Sequence, residues 1–204
     1  MPLTEVEGVL YYGTNLGIVA AVDALLGTPI WAAAYPTEKI PSTFYWFEAP
    51  RRWPRFANGP PLVSGNTVVV LPTDGTLLLG LDRRNGELLF SVRPQIFAGD
   101  RSLDLQTLHA VDGDRAYVGG QRGVAALWLV RDPARHAEPG EVAWTAWFDG
   151  EDTGATGAGR GFLAQDALWV PTFDAIYRFD PANGKGKSAP EREGRDRNIH
   201  VHIV

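Results

Sequence analysis

The sequence predicts an all-β chain built from four repeated antiparallel units of four strands each. Two observations carry that expectation. Apolar residues come in short bursts separated by turn dipeptides, and a spaced set of Asp, Gly and an aromatic returns along the 204 residues. The bursts run Val9 to Tyr12, Ile18 to Val22, Thr67 to Leu71, Thr76 to Leu81 and Glu87 to Phe90. They continue as Arg115 to Val118, Val124 to Val130, Val142 to Trp147, Ala167 to Val170 and Ala175 to Phe179. Bursts of about five residues match strands rather than helices. Between them stand Gly65-Asn66, Asp74-Gly75, Asn85-Gly86, Asp112-Gly113 and Asn183-Gly184. Such dipeptides supply the positive φ that tight hairpins need.

The repeat is read by aligning the bursts. Ala21-Val22-Asp23 leads through Gly27 to Trp31, and Gly80-Leu81-Asp82 leads through Gly86 to Phe90. A third copy ends in Gly140 and Trp144, with the link before it expanded by residues 131–139. A fourth starts at Asp180 and Gly184, but Ser188 stands at its aromatic position. The glycines 27, 86, 140 and 184 are 59, 54 and 44 residues apart, long enough for four strands with variable loops. In this turn Asp accepts hydrogen bonds from free N–H groups and Gly closes the left-handed corner. The aromatic then falls on the outer strand, where a ring can cover the joint with a neighbouring sheet. One four-stranded sheet cannot bury both its faces, so repeated sheets are expected to stack as the blades of a β-propeller.

Composition narrows the function classes. The net charge of −5 disfavours a nucleic-acid binder, which needs a Lys/Arg surplus. The absence of cysteine removes disulfides, thiolate zinc sites and cysteine nucleophiles. The run from Ile18 to Val22 is far short of the ~20 residues of a membrane-spanning helix, so no transmembrane segment is expected. Residues 1–5 lack the basic and apolar stretches of a signal peptide.

The pattern Ala-x-Asp-x-x-x-Gly-x-x-x-Trp, preceded by Gly-x-x-Tyr-x-Gly-Thr, resembles the pyrroloquinoline-quinone (PQQ) repeat of quinoprotein-like β-propellers. Ala21, Asp23, Gly27 and Trp31 carry it, with Gly8, Tyr11, Gly13 and Thr14 upstream. Asp82, Gly86 and Phe90 form a second match, and the likeness extends from Pro2 to about Ser188. It implies one propeller segment over residues 1–204, with blades near 2–35, 60–93, 107–148 and 160–188. Propellers of this family commonly carry seven or eight blades, so a piece of a larger ring is expected. Residues 198–204 read as a candidate first strand of a further blade.

The family's quinone is held between a Trp and a disulfide beside a calcium ion. Without cysteine the disulfide half is missing here, and no cofactor is expected, PQQ and calcium being the alternatives. Asp23, Gly27, Trp31, Asp82, Gly86, Phe90, Gly140, Trp144, Asp180 and Gly184 are expected to close turns and dock blades. Trp169 is expected to be buried in a second strand. Trp46, Arg51, Arg52 and Trp53 could form a binding loop, although a plug between the first two blades is the preferred reading. Residues 149–152 (Asp-Gly-Glu-Asp) could bind calcium but lack EF-hand spacing and read better as an acidic loop. Glycines 157, 159 and 161 precede a strand, not a helix, and so make no nucleotide fingerprint. His200 and His202 could pair on a metal but read better as a surface strand; His109 and His136 stand isolated.

No catalytic, cofactor or metal residue is expected. The leading function is a non-catalytic scaffold or binding module taking a protein or small ligand on one propeller face. Self-association through open blade edges is a further option. Such scaffolds resemble the bacterial outer-membrane assembly factor, which places the chain in the periplasm or cell envelope by resemblance alone. The alternative is a fragment of a PQQ-dependent oxidoreductase whose cofactor residues lie outside this chain. A sugar- or peptide-binding module centred on Trp46 and Trp53 is the third reading.

Overall fold

A computed structural model describes residues 2–14, 16–37, 59–148, 157–173 and 175–188. The described residues contain strands and turns and no helix. The first sheet comprises β1 (Leu3–Val6), β2 (Val9–Gly13), β3 (Ile18–Asp23) and β4 (Pro29–Ala34). The second comprises β5 (Leu62–Ser64), β6 (Thr67–Val70), β7 (Leu78–Asp82) and β8 (Leu88–Val92). A separate hairpin follows, β9 (Gln95–Ala98) and β10 (Arg101–Asp104). The third sheet holds β11 (Thr107–Asp112), β12 (Arg115–Gly119), β13 (Gly123–Trp128) and β14 (Val142–Trp147). The fourth holds β15 (Phe162–Ala164), β16 (Ala167–Pro171), β17 (Ile176–Phe179) and β18 (Gly186–Ser188). Each four-stranded sheet is an antiparallel meander, its strands in chain order.

The sheets stack face to face, and the core lies in the joints between them. Tyr11, Val19 and Trp31 of the first sheet meet Val68, Val70 and Leu79 of the second. Val69, Leu78 and Phe90 meet Leu108, Val118 and Leu127 of the third. Tyr117, Val124 and Trp144 meet Leu168, Tyr177 and Phe179 of the fourth. β6 is therefore buried at every position, because Val68 and Val70 face one neighbour while Val69 faces the other. Double-sided burial is what turns a strand into a continuous apolar run instead of an alternating one. β17 alternates between exposed and buried, as a sheet covered on one side should. Among the described residues the sheets do not close into a ring.

Two features differ from the sequence expectation. The hairpin β9–β10 inserts Ile96 and Leu103 into the joint between the second and third sheets, although residues 95–104 show no repeat signal. Trp169 is half-exposed, not buried. It sits on the face of the fourth sheet opposite Leu168 and Val170, with Arg178 stacked 5.9 Å from its ring. A β16 residue pointing away from the third sheet has no described sheet to bury it.

Candidate functional site

The repeated turn builds the same local structure in three of the sheets. Asp23 Oδ1 accepts from the N–H of Leu25 at 2.9 Å and of Leu26 at 2.7 Å, and Gly27 N–H donates to the Asp23 carbonyl. Asp82 repeats this with Arg84 at 2.8 Å and Gly86, and Asp180 with Ala182 at 2.8 Å and Gly184. The Arg84 N–H, foremost, holds the Asp82 carboxyl below its ordinary pKa. In the third sheet Trp128 takes the place of Asp. Gly140 donates to the Trp128 carbonyl, and the residues between form their own turn around Asp132. Trp128 lies between two guanidinium groups, Arg115 at 4.6 Å and Arg135 at 5.1 Å.

The outer-strand rings lie on the turn glycines of the following sheet. A Cβ added to Gly86 would stand 2.6 Å from Trp31 Cε3, and one on Gly140 would stand 2.9 Å from Phe90 Cδ2. A Cβ on Gly184 would collide with Trp144 in the same way. The indoles are also hydrogen-bonded: Trp31 Nε1 donates to the Arg83 carbonyl at 2.9 Å, and Trp144 Nε1 to the Pro181 carbonyl at 3.0 Å. Arg83 ties the first joint further, donating to Tyr11 Oη at 3.1 Å and Glu7 at 2.8 Å. Arg115 does so in the third joint, donating to the carbonyls of Pro181 and Ala182 at 2.8 and 2.9 Å.

At the opposite end of the sheets, connections between second and third strands join those that link one sheet to the next. Tyr35 Oη donates to Asp74 Oδ1 at 2.6 Å, and Gly17 N–H donates to Asp74 Oδ2 at 3.0 Å, binding the first two sheets together. Burial, then the Asp74 hydrogen bond and charge, push the Tyr35 phenol above its ordinary pKa. A cleft of about 170 Å³ opens beside it, lined by Val19, Tyr35, Pro36, Leu79 and Leu88. The most exposed large apolar side chains at this end are three on its loops and hairpin. They are Leu16 on the β2–β3 loop (81% exposed), Phe97 on the β9–β10 hairpin (73%) and Phe173 on the β16–β17 loop (77%).

His109, isolated in the sequence, is buried at the joint between the third and fourth sheets. It occupies the bulge of β11, and its Nδ1 accepts the Gly161 N–H at 2.8 Å. Its Nε2 has no hydrogen-bond partner among the described residues. Burial, aided by the nearby Arg160 charge, lowers its pKa from 6.5 to about 4, so the ring is neutral.

Trp46, Arg51, Arg52 and Trp53 lie outside the described residues, as do residues 149–152, His200 and His202. Among the described residues no three His, Cys, Asp or Glu side chains gather as a metal site. The donor set does not fit the quinone and calcium arrangement that the repeat implies, because the sequence has no cysteine. No described helix is long and apolar enough to cross a membrane. Sequence reasoning did not single out Leu16, Phe97 or Phe173. The available signal was an apolar residue set inside turn chemistry, as in Asn15-Leu16-Gly17 and Phe97-Ala98-Gly99-Asp100.

The family described as outer membrane protein assembly factor BamB matches residues 3–132. No curated protein sequence matches the chain. Among solved structures, BamB from Moraxella catarrhalis is 19% identical with a TM-score of 0.56, over 88% of this chain and 45% of that one. The quinohemoprotein alcohol dehydrogenase from Comamonas testosteroni is 17% identical at a TM-score of 0.59, over 91% of this chain and 33% of that one. A europium-containing methanol dehydrogenase is 15% identical at a TM-score of 0.64, over 93% of this chain and 41% of that one. The chain thus spans less than half the length of each, and the likeness is one of fold, shared by scaffold and dehydrogenase alike. With repeat turns, stacked four-stranded sheets and a family match over most of its length, the chain belongs to the BamB outer membrane protein assembly factor family of PQQ-like β-propellers.

Proposed function

We propose that the chain is a non-catalytic β-propeller binding module that engages a protein partner in the cell envelope, in outer membrane protein assembly. The supporting observation is the loop end of the sheets, where Leu16, Phe97 and Phe173 are all exposed. Large apolar side chains grouped at one end of a rigid scaffold are what a protein partner buries. Replacing the three together by Ser leaves the joints between sheets untouched. In cells deleted for the gene, the intact gene is expected to restore outer membrane protein levels, while the folded triple variant does not. Full restoration by the triple variant would overturn the reading.

The second reading is a segment of a PQQ-dependent oxidoreductase. Its support is the fold that the chain shares with the europium-containing methanol dehydrogenase, at a TM-score of 0.64. A Cys-Cys pair and a carboxylate–amide calcium set in the sequence flanking this chain would support it over the scaffold.

A further inference from the structure

Towards the loop end the three joints are filled in three different ways. In the third, Phe148 stands four residues after Trp144 and packs 5.0 Å from Tyr177 and 6.2 Å from Phe179. In the second, the β9–β10 hairpin delivers Ile96 and Leu103 beside Val92. Among the described residues the first joint has neither filling. Leu79 and Leu81 precede Asp82 by three residues and one, as Tyr177 and Phe179 precede Asp180, so two rings give way to two smaller side chains.

The residues around this gap hold it open. Tyr35 takes the place of Phe148, four residues after Trp31. Its hydroxyl is tied to Asp74 Oδ1 at 2.6 Å, and Asp74 also accepts the Gly17 N–H, so the ring is pinned at the wall of the gap. Ala33, two residues after Trp31, brings only a methyl group. What remains is the cleft of about 170 Å³. Val19, Tyr35, Leu79 and Leu81 in its walls are buried, whereas Leu88 is 59% exposed and stands at the mouth.

The lining decides the chemistry. Tyr35 is the one polar side chain among the described lining residues, and its proton is already donated to Asp74. A charged ligand would lose its water here without gaining a partner. Apolar space of this size does hold hydrocarbon: a cavity of about 150 Å³ walled by Leu, Ile and Phe binds benzene. Sites for drug-sized molecules start at about 300 Å³, so this cleft has room for one ring.

We propose that the cleft between the first two sheets is a binding site for a neutral molecule with a single aromatic ring. The ring lies between Val19 and Ala33 of the first sheet and Leu79 and Leu81 of the second, with Tyr35 at its edge. It fills the first joint much as Phe148, Tyr177 and Phe179 fill the third. The site does not depend on the partner engaged by Leu16, Phe97 and Phe173.

Toluene is the probe, titrated into the wild-type chain while isotope-labelled methyl groups are followed by NMR. Saturable shifts centred on Val19, Ala33, Leu79 and Leu81 are expected, with none from benzoate, a like ring bearing a charge. Ala33→Leu fills the cleft with its own side chain and should weaken toluene binding by about ten-fold or more. Ala32→Leu, on the exposed face of β4, should leave binding unchanged. If Ala33→Leu fails to fold, nuclear Overhauser contacts from toluene to the Leu79 and Leu81 methyls of the wild-type chain decide the matter. The site is refuted if those methyls do not respond, including because another part of the chain fills the cleft. It is refuted equally if benzoate moves them as toluene does, or if folded Ala33→Leu binds toluene as tightly as wild type.

Discussion

Gly86→Ala is the sharpest probe of how the first two sheets are joined. Two costs act at once. Gly86 has φ +75°, and holding an alanine there costs about 1 kcal/mol. The new methyl would also stand 2.6 Å from Cε3 and 2.8 Å from Cδ2 of Trp31, nearly 1 Å inside ordinary carbon contact. The ring cannot swing away freely, because its Nε1 is bonded to the Arg83 carbonyl at 2.9 Å. Overpacking of this kind costs roughly 1–3 kcal/mol, so the total should reach about 2–4 kcal/mol. Gly65→Ala is the control: φ is +54° and no described atom lies within 4 Å, so only the backbone cost of about 1 kcal/mol applies. Equilibrium unfolding in urea measures both. A double-mutant cycle with Trp31→Ala should show coupling of about 1 kcal/mol or more, since the nearest atoms the methyl would meet all belong to that ring. Equal costs for Gly86→Ala and Gly65→Ala, or a cycle that is simply additive, would refute the ring-on-glycine account.

Two further predictions concern other contacts between the sheets. His109 is neutral when folded, with a pKa of about 4 against 6.5 when unfolded, so the unfolded chain takes up the proton first as the pH falls. The stability His109 contributes is full above pH 6.5 and is lost towards pH 4, by about 3 kcal/mol. His109→Asn, which can still accept the Gly161 N–H but does not titrate, should flatten the fall in urea midpoint between these pH values; an unchanged slope would count against the assignment. Tyr35→Phe removes the bond to the Asp74 carboxylate at 2.6 Å and should cost about 1.5–3 kcal/mol in urea unfolding, whereas a loss below 0.5 kcal/mol, as is usual for an inconsequential surface change, would show that the tie bears little.

The fold was legible because burial on both faces and tight turns each leave a local mark. Val68, Val69 and Val70 are consecutive and apolar since each is covered, and Asp82 and Gly86 keep fixed spacing since one turn geometry needs both. The hairpin at residues 95–104 left a weaker mark. Its only punctuation is Gly99-Asp100, and its buried residues Ile96 and Leu103 are fixed by the neighbouring sheets, not by any period of their own. Trp169 was misread because strand position alone does not say which face a sheet covers. The same limit hid His109: a lone histidine between Leu108 and Ala110 becomes a buried, half-satisfied ring only once β11 bulges against Gly161. The exposed Leu16 and Phe97 stand beside turn residues, but that Leu16, Phe97 and Phe173 come to one end follows only from the meander.

The joints connect each described sheet to its sequence neighbours, so the described sheets form a short linear array. In such an array opening starts where a unit has one neighbour and travels inward. Amides of β6, β7, β12 and β13 should therefore outlast those of β2, β3, β16 and β17 in hydrogen exchange. The two end sheets, each with one described neighbour, thus set how readily the array begins to open.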